Sequence, residues 1–108
     1  MPTVTSKISK AVRNRKIQNH PHIEKKKGVC GGEPIIRKTR ITVGLIATLE
    51  KMGHSVDEIV GMYPHINHAQ VFDALSYYYD NKGEIDRLIA ANNIEHWQKE
   101  TKSDPWRK

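Results

Sequence analysis

From Thr42 onward apolar residues recur at three- and four-residue spacings, the period of a helix that buries one face. Leu45, Ile46, Leu49 and Met52 follow Thr42, a good N-cap, and Gly53 suits the left-handed position that closes a helix. The pattern predicts a helix over residues 43–52. Ser55-Val56-Asp57-Glu58 has the form of a capping box and opens a second helix, residues 56–63, with Ile59, Val60 and Tyr63 inward and Pro64 as its stop. Asn67-His68-Ala69-Gln70 repeats the device and opens a third over residues 68–81, carrying Val71, Phe72, Ala74, Leu75, Tyr78 and Tyr79 and closing near Gly83. A last helix runs from about Glu84 through Ile85, Leu88, Ile89 and Ile94 to about Trp97.

Ahead of Thr42 the pattern is extended and broken by turns. Ile23 leads into Lys25-Lys26-Lys27, Gly28 and Gly31-Gly32 mark tight turns, and Pro34 blocks a helix start. Ile35-Ile36-Arg37 and Arg40-Ile41-Thr42-Val43, two β-branched runs around Lys38-Thr39, predict a short hairpin. A two-stranded ribbon is marginal alone, so it packs on the helices or pairs with a second subunit. The dimer interface expected from this is Ile35, Ile36, Ile41 and Val43, with Tyr78 of the third helix. Residues 1–19 read as a basic flexible arm, in which Ile8, Val12 and Ile17 could line a helix formed on contact. Residues 20–98 read as the folded domain and 99–108 as a frayed tail. The expected fold is mainly α: a tri-helical, homeodomain-like helix-turn-helix bundle plus a C-terminal helix, with short N-terminal strands forming a ribbon able to pair across a homodimer.

Composition narrows the function classes. At 108 residues and 37% hydrophobic, the chain fits one domain with a lean core that self-association would help. No run of about 18 apolar residues could span a bilayer and no apolar stretch follows the basic start, so a soluble, cytoplasmic protein without a membrane partner is expected. Residues 1–40 hold eleven Lys/Arg against Glu24 and Glu33, a balance of +9 within a total of +6, so the remainder is mildly acidic. Such a field draws polyanions. Arg13, Arg15, Lys16, Lys25, Lys26, Lys27, Arg37, Lys38 and Arg40 are therefore the candidate contacts to nucleic acid or to an acidic protein groove. The third helix offers Gln70 for an adenine edge but no Lys or Arg before Lys82, and its Asp73 and Asp80 repel phosphate. Contact is thus assigned to the arm and the Arg37 to Arg40 turn.

Enzyme chemistry is not expected. Cys30, the single cysteine, lies in a Gly-rich turn without an orienting Asp or Asn pattern, and a small structural cysteine is the simpler reading. Gly28 to Gly32 lacks the following Lys-Ser/Thr of a phosphate loop. His20, His22, His65 and His68 have no Cys or carboxylate spaced to complete a metal site, so no metal or cofactor is expected. Of Tyr77-Tyr78-Tyr79 and Trp97, which could stack bases, at least two of the tyrosines should face the core or a subunit interface.

The run from Gly28 through Gly31-Gly32-Glu33-Pro34-Ile35-Ile36-Arg37-Lys38-Thr39-Arg40-Ile41 to Val43, with Met52-Gly53-His54-Ser55, Glu58-Ile59, Tyr63-Pro64-His65-Ile66 and Ala74-Leu75-Ser76-Tyr77-Tyr78-Tyr79, resembles the bacterial domain-of-unknown-function family 433, itself similar to VapB-type antitoxins. The resemblance covers roughly residues 20–92. It implies a helix-turn-helix fold with N-terminal strands, a homodimer, operator DNA as a partner, and a nuclease-type toxin that the antitoxin masks. Arg37 and Arg40 would then enter the toxin's acidic, metal-binding cleft. Two positions depart from the family pattern: Lys38 stands where Gly is usual and disfavours a left-handed turn there, and Thr42 replaces a usual Pro. The alternative is a structural homodimerisation module without nucleic-acid binding, whose basic tail serves solubility or tethering.

Overall fold

The computed structural model describes residues 19–92 and Trp97. Two short strands, β1 (Ile23–Lys25) and β2 (Pro34–Ile36), precede four helices: α1 (Val43–Lys51), α2 (Val56–Met62), α3 (His68–Asp80) and α4 (Lys82–Ala91). The first three helices begin where side chains satisfy their orphan amides. Thr42 Oγ1 accepts from the Leu45 amide at 3.0 Å. Ser55 and Glu58 close a reciprocal box at 3.1 and 2.9 Å, and Asn67 and Gln70 do the same at 2.9 and 2.7 Å. Gly53, at φ 99°, ends α1 in a Schellman turn, with the His54 amide donating to the Leu49 carbonyl at 3.1 Å.

Helix α1 is the centre of the fold. It packs against α2, α3, α4 and β2, and Val43, Gly44, Leu45, Ile46, Ala47 and Leu49 are all buried, as suits a helix covered on most sides. Ile59 of α2, Val71, Ala74, Tyr77 and Tyr78 of α3, and Ile85 of α4 complete the core with Ile23, Ile36 and Ile41. Trp97 closes it. Its ring lies on Gly44 and its indole N–H donates to Glu33 Oε1 at 3.0 Å, while Asn92 Nδ2 donates to Glu33 Oε2 at 3.2 Å.

Three expectations are corrected here. The hairpin expected around Lys38-Thr39 shrinks to one bridge, Ile35 to Thr42, and β2 instead pairs antiparallel with β1 in the register Ile23–Ile36, Glu24–Ile35, Lys25–Pro34. The reason is local: α1 starts at Val43, which leaves the second run no length as a strand. The helix expected to run from Glu84 to Trp97 starts two residues earlier and stops at Ala91, because Asn92 turns extended (φ −122°, ψ 168°) and caps the Leu88 carbonyl with its own amide. Gly83 consequently lies inside α4, and the break after α3 falls at Asn81, whose Nδ2 holds the Tyr77 carbonyl at 3.0 Å. The third correction concerns the expected dimer face. Ile35 is 1% exposed, and Ile36, Ile41, Val43 and Tyr78 are 0% exposed, all covered by their own chain. The ribbon packs on its own helices, and these five side chains offer nothing to a partner. Residues 1–18, 93–96 and 98–108, which take in all of the expected arm 1–19 except Asn19 and all of the expected tail 99–108, lie outside the described residues.

Candidate nucleic-acid interface

β1 and β2 each run out into a cationic turn, and the ribbon brings the two turns together. Lys26, Val29, Lys38, Thr39 and Arg40 ring a depression of about 190 Å³ with Ile35 and Glu24, which pair across the strands. Ile35 is buried beneath it. The single acid, Glu24, accepts from the Lys38 amide at 3.2 Å, so it fixes the turn as well as partly offsetting its charge. Lys27 and Arg37 are exposed alongside, and Arg37 Nη1 reaches the Pro21 carbonyl at 3.3 Å.

The turn itself is strained. The Thr39 amide donates to the Ile36 carbonyl at 3.0 Å, and Lys38, in the third position of this turn, sits at φ 65°. That left-handed region suits glycine and costs a residue with a Cβ about 1 kcal/mol. Lys38 therefore adopts the conformation that its side chain disfavours, and the turn carries a cation at its tip. Cys30, also left-handed at φ 50°, is buried and its Sγ donates to the Arg40 carbonyl at 3.5 Å, which joins the Gly-rich turn to the basic one.

The remaining candidates divide. Arg13, Arg15 and Lys16 lie outside the described residues. Lys25 leaves the basic cluster and pairs with Glu84 Oε2 at 2.8 Å. Gln70 is half-buried and its side-chain oxygen accepts from the Asn67 amide, which commits that oxygen to the α3 cap rather than to an adenine edge. Of the four histidines weighed as ligands, His68 bonds to Asp57 at 2.6 Å and His65 stands edge-on to Tyr63, so they serve separate purposes. Among the described residues no group of three or more His, Cys, Asp or Glu is placed to hold a metal ion, and no helix is long and apolar enough to cross a membrane.

Sequence reasoning weighed His20 only as a metal ligand and missed its pairing with two carboxylates of α3. It is 4% exposed, with Nδ1 3.0 Å from Asp73 Oδ1 and Nε2 2.9 Å from Asp80 Oδ2, while the His22 amide donates to the other Asp73 oxygen at 2.8 Å. The two carboxylates that should repel phosphate are held by the chain entering β1. The signal was present in the spacing Asp73, Tyr77, Asp80, which puts all three on one helix face, and His20 stands edge-on to Tyr77 at 5.2 Å.

Tyr77 extends the network by donating to Glu84 Oε1 at 2.8 Å. Burial first, then the hydrogen bond and charge of Glu84, push its phenol well above the usual tyrosine range. The folded state holds that proton more tightly than the unfolded chain, whose tyrosines ionise near pH ~10. The resulting stability is whole below that pH and is lost as the pH climbs above it. Urea denaturation from pH 7 to 11 should therefore show an alkaline decline that Tyr77→Phe makes shallower; an unchanged decline would show that Tyr77 is not its source.

A family model described as "Protein of unknown function (DUF433)" matches residues 23–78, just over half of the 108-residue chain. The chain belongs to the DUF433 family. A crystal structure of another DUF433 member, from Anabaena variabilis, is 30% identical, covers 81% of this chain and 81% of that one, and superposes with a TM-score of 0.62. No curated protein matches. The part of this DUF433 chain that the family model spans includes both basic turns, α1, α2 and most of α3.

Proposed function

We propose that this DUF433 protein is antitoxin-like: its two basic turns grip nucleic-acid phosphates, and the same cations enter the acidic cleft of a nuclease-type toxin. The observation that carries this reading is the convergence of Lys26, Lys38 and Arg40 on one depression, with Lys27 and Arg37 exposed beside it. Backbone phosphates need clustered positive charge and no base readout. The order α2, a five-residue connection, α3 is compatible with a helix-turn-helix reading, yet α3 itself holds no Lys or Arg. In this reading the ribbon turns bind and the helices support them.

A salt titration of the full chain against its own upstream DNA tests this. Four phosphate contacts would weaken binding on the order of a hundredfold between 50 and 200 mM salt, and Arg37→Ala or Lys38→Ala should each lower the logarithmic slope by about one. Lys38→Gly is the sharper variant. It should raise Tm, by ~4–8 °C for roughly 1 kcal/mol of relieved strain, while weakening DNA binding as Lys38→Ala does. A salt-independent interaction, or affinity untouched by the combined substitution of Lys26, Arg37, Lys38 and Arg40, would remove the phosphate-binding reading. For the masking role, inhibition of a nuclease encoded beside this gene should be lost in the same variants.

A further inference from the structure

A second hollow, of about 400 Å³, lies between residues 31–34 and α4 and has no lining residue in common with the basic depression. Glu84, Arg87, Leu88 and Ala91 line it from the helix, where spacings of three, one and three put them on one face. Opposite them stand Gly31, Gly32, Glu33 and the buried Pro34. A Cβ built on either glycine would meet nothing within 4 Å, so that wall is bare backbone with open space beside it.

Three charged side chains line the hollow, and the chain itself occupies two of them. Glu33 accepts from the Trp97 indole at 3.0 Å on one oxygen and from Asn92 Nδ2 at 3.2 Å on the other. Glu84 is held in the same way, Oε1 by the Tyr77 hydroxyl and Oε2 by Lys25 Nζ, both at 2.8 Å. Glu84 precedes Arg87 by three residues, the spacing at which helical ion pairs form, but Tyr77 and Lys25 have taken it. Arg87 is exposed, and among the described residues its guanidinium has no hydrogen bond or ion pair.

We infer that this hollow binds a small organic monocarboxylate with an apolar body. The carboxylate takes the planar donor fork of Arg87, and the body lies against Pro34, Leu88 and Ala91. The volume falls within the roughly 300–1,000 Å³ of small-molecule sites, which are mostly apolar with a few polar groups to orient the ligand. The charge must be single. One arginine balances a monoanion, whereas a phosphate dianion or a nucleic-acid backbone would also meet the charges of Glu33 and Glu84. The assignment is independent of the nucleic-acid reading, because none of its residues belongs to the basic turns.

Phenylacetate titrated into the isotope-labelled full chain and followed by nuclear magnetic resonance tests it. Saturable shifts are expected at the Gly31, Gly32, Leu88 and Ala91 amides and at the Arg87 Nε–H, with a Kd on the order of 0.1–1 mM. Acetate, which lacks the apolar body, and phenylacetamide, which lacks the charge, should each bind at least ~10-fold more weakly, and phenyl phosphate at least ~5-fold more weakly. Arg87→Gln, an exposed change that leaves the fold intact, should weaken phenylacetate at least ~10-fold and leave phenylacetamide within ~2-fold. Combined substitution of Lys26, Arg37, Lys38 and Arg40 should leave phenylacetate binding within ~2-fold, so this site and the basic turns stand or fall separately. No saturable shift up to ~20 mM, shifts gathered at the Lys38 and Arg40 amides, phenylacetamide or phenyl phosphate binding as well as phenylacetate, or affinity untouched by Arg87→Gln would each overturn the proposal.

Discussion

Gly44→Ala should destabilise this protein by about 3 kcal/mol, although Gly to Ala inside a helix ordinarily stabilises by up to ~1 kcal/mol. A Cβ built on Gly44 lies 2.6 Å from Cη2 and 2.7 Å from Cζ2 of Trp97, well inside contact distance. The ring has little room to yield: it is 1% exposed, and its N–H is anchored on Glu33. Sliding away breaks that bond and exposes an indole, and removal of a buried Trp costs ~3–5 kcal/mol. For a domain of this size Tm should fall roughly 15 °C. Gly61 provides the control. It lies in α2, and a Cβ there meets nothing within 4 Å, so Gly61→Ala should raise stability by up to ~1 kcal/mol. The pair is measured by thermal denaturation, with Trp97 fluorescence followed in a Trp106→Phe background. If Gly44→Ala matches Gly61→Ala in sign, Trp97 does not rest on Gly44.

This contact also marks the limit of what the chain reveals by itself. The helix starts at Val43, Val56 and His68 were legible because Thr42, Ser55-Glu58 and Asn67-Gln70 are local devices, each satisfied within four residues. The dimer face was misread because alternation and β-branching report that Ile35, Ile36, Ile41 and Val43 are buried without reporting against what; the helices of the same chain cover them. The basic turns were legible as charge, but their convergence depends on β1 choosing the far edge of β2, a pairing nine to thirteen residues apart; the Gly28 and Gly31-Gly32 turns between them announced a change of direction but not the partner. Lys38 was recognised as ill-suited to a left-handed turn and adopts one all the same at φ 65°, because the Glu24 carboxylate and the Ile36 carbonyl hold the amides around it. The contacts between Glu33 and Trp97 and between His20 and Asp73 span more than fifty residues, so spacing could show only half of each.

His20→Ala is the second substitution expected to cost heavily, about 2 kcal/mol, and its cost should come from Asp73 rather than from Asp80. The Asp73 side chain is 11% exposed and keeps only the His22 amide when the imidazole is removed, which leaves one carboxylate oxygen buried without its partner. The Asp80 side chain is 64% exposed, so water replaces the ring there at little cost. Asp80→Ala should consequently change stability by less than ~1 kcal/mol, and Asp73→Ala by about as much as His20→Ala. The two severe losses should not add in the double variant, because each removes the same contact. Nor is the ring replaceable by any single donor: a neutral imidazole carries one N–H, so both contacts are hydrogen bonds only when both ring nitrogens are protonated. This contact is also what holds the start of β1 against α3, since His20 and His22 flank Pro21 and both engage Asp73. Hydrogen exchange in the variant should therefore quicken at the Ile23 and Arg37 amides, the latter bonded to the His22 carbonyl at 2.8 Å, while the α1 core amides change only with global stability. Equal costs for Asp73→Ala and Asp80→Ala, or exchange that quickens uniformly, would show that His20 acts as general packing and not as the fastening of the ribbon to α3.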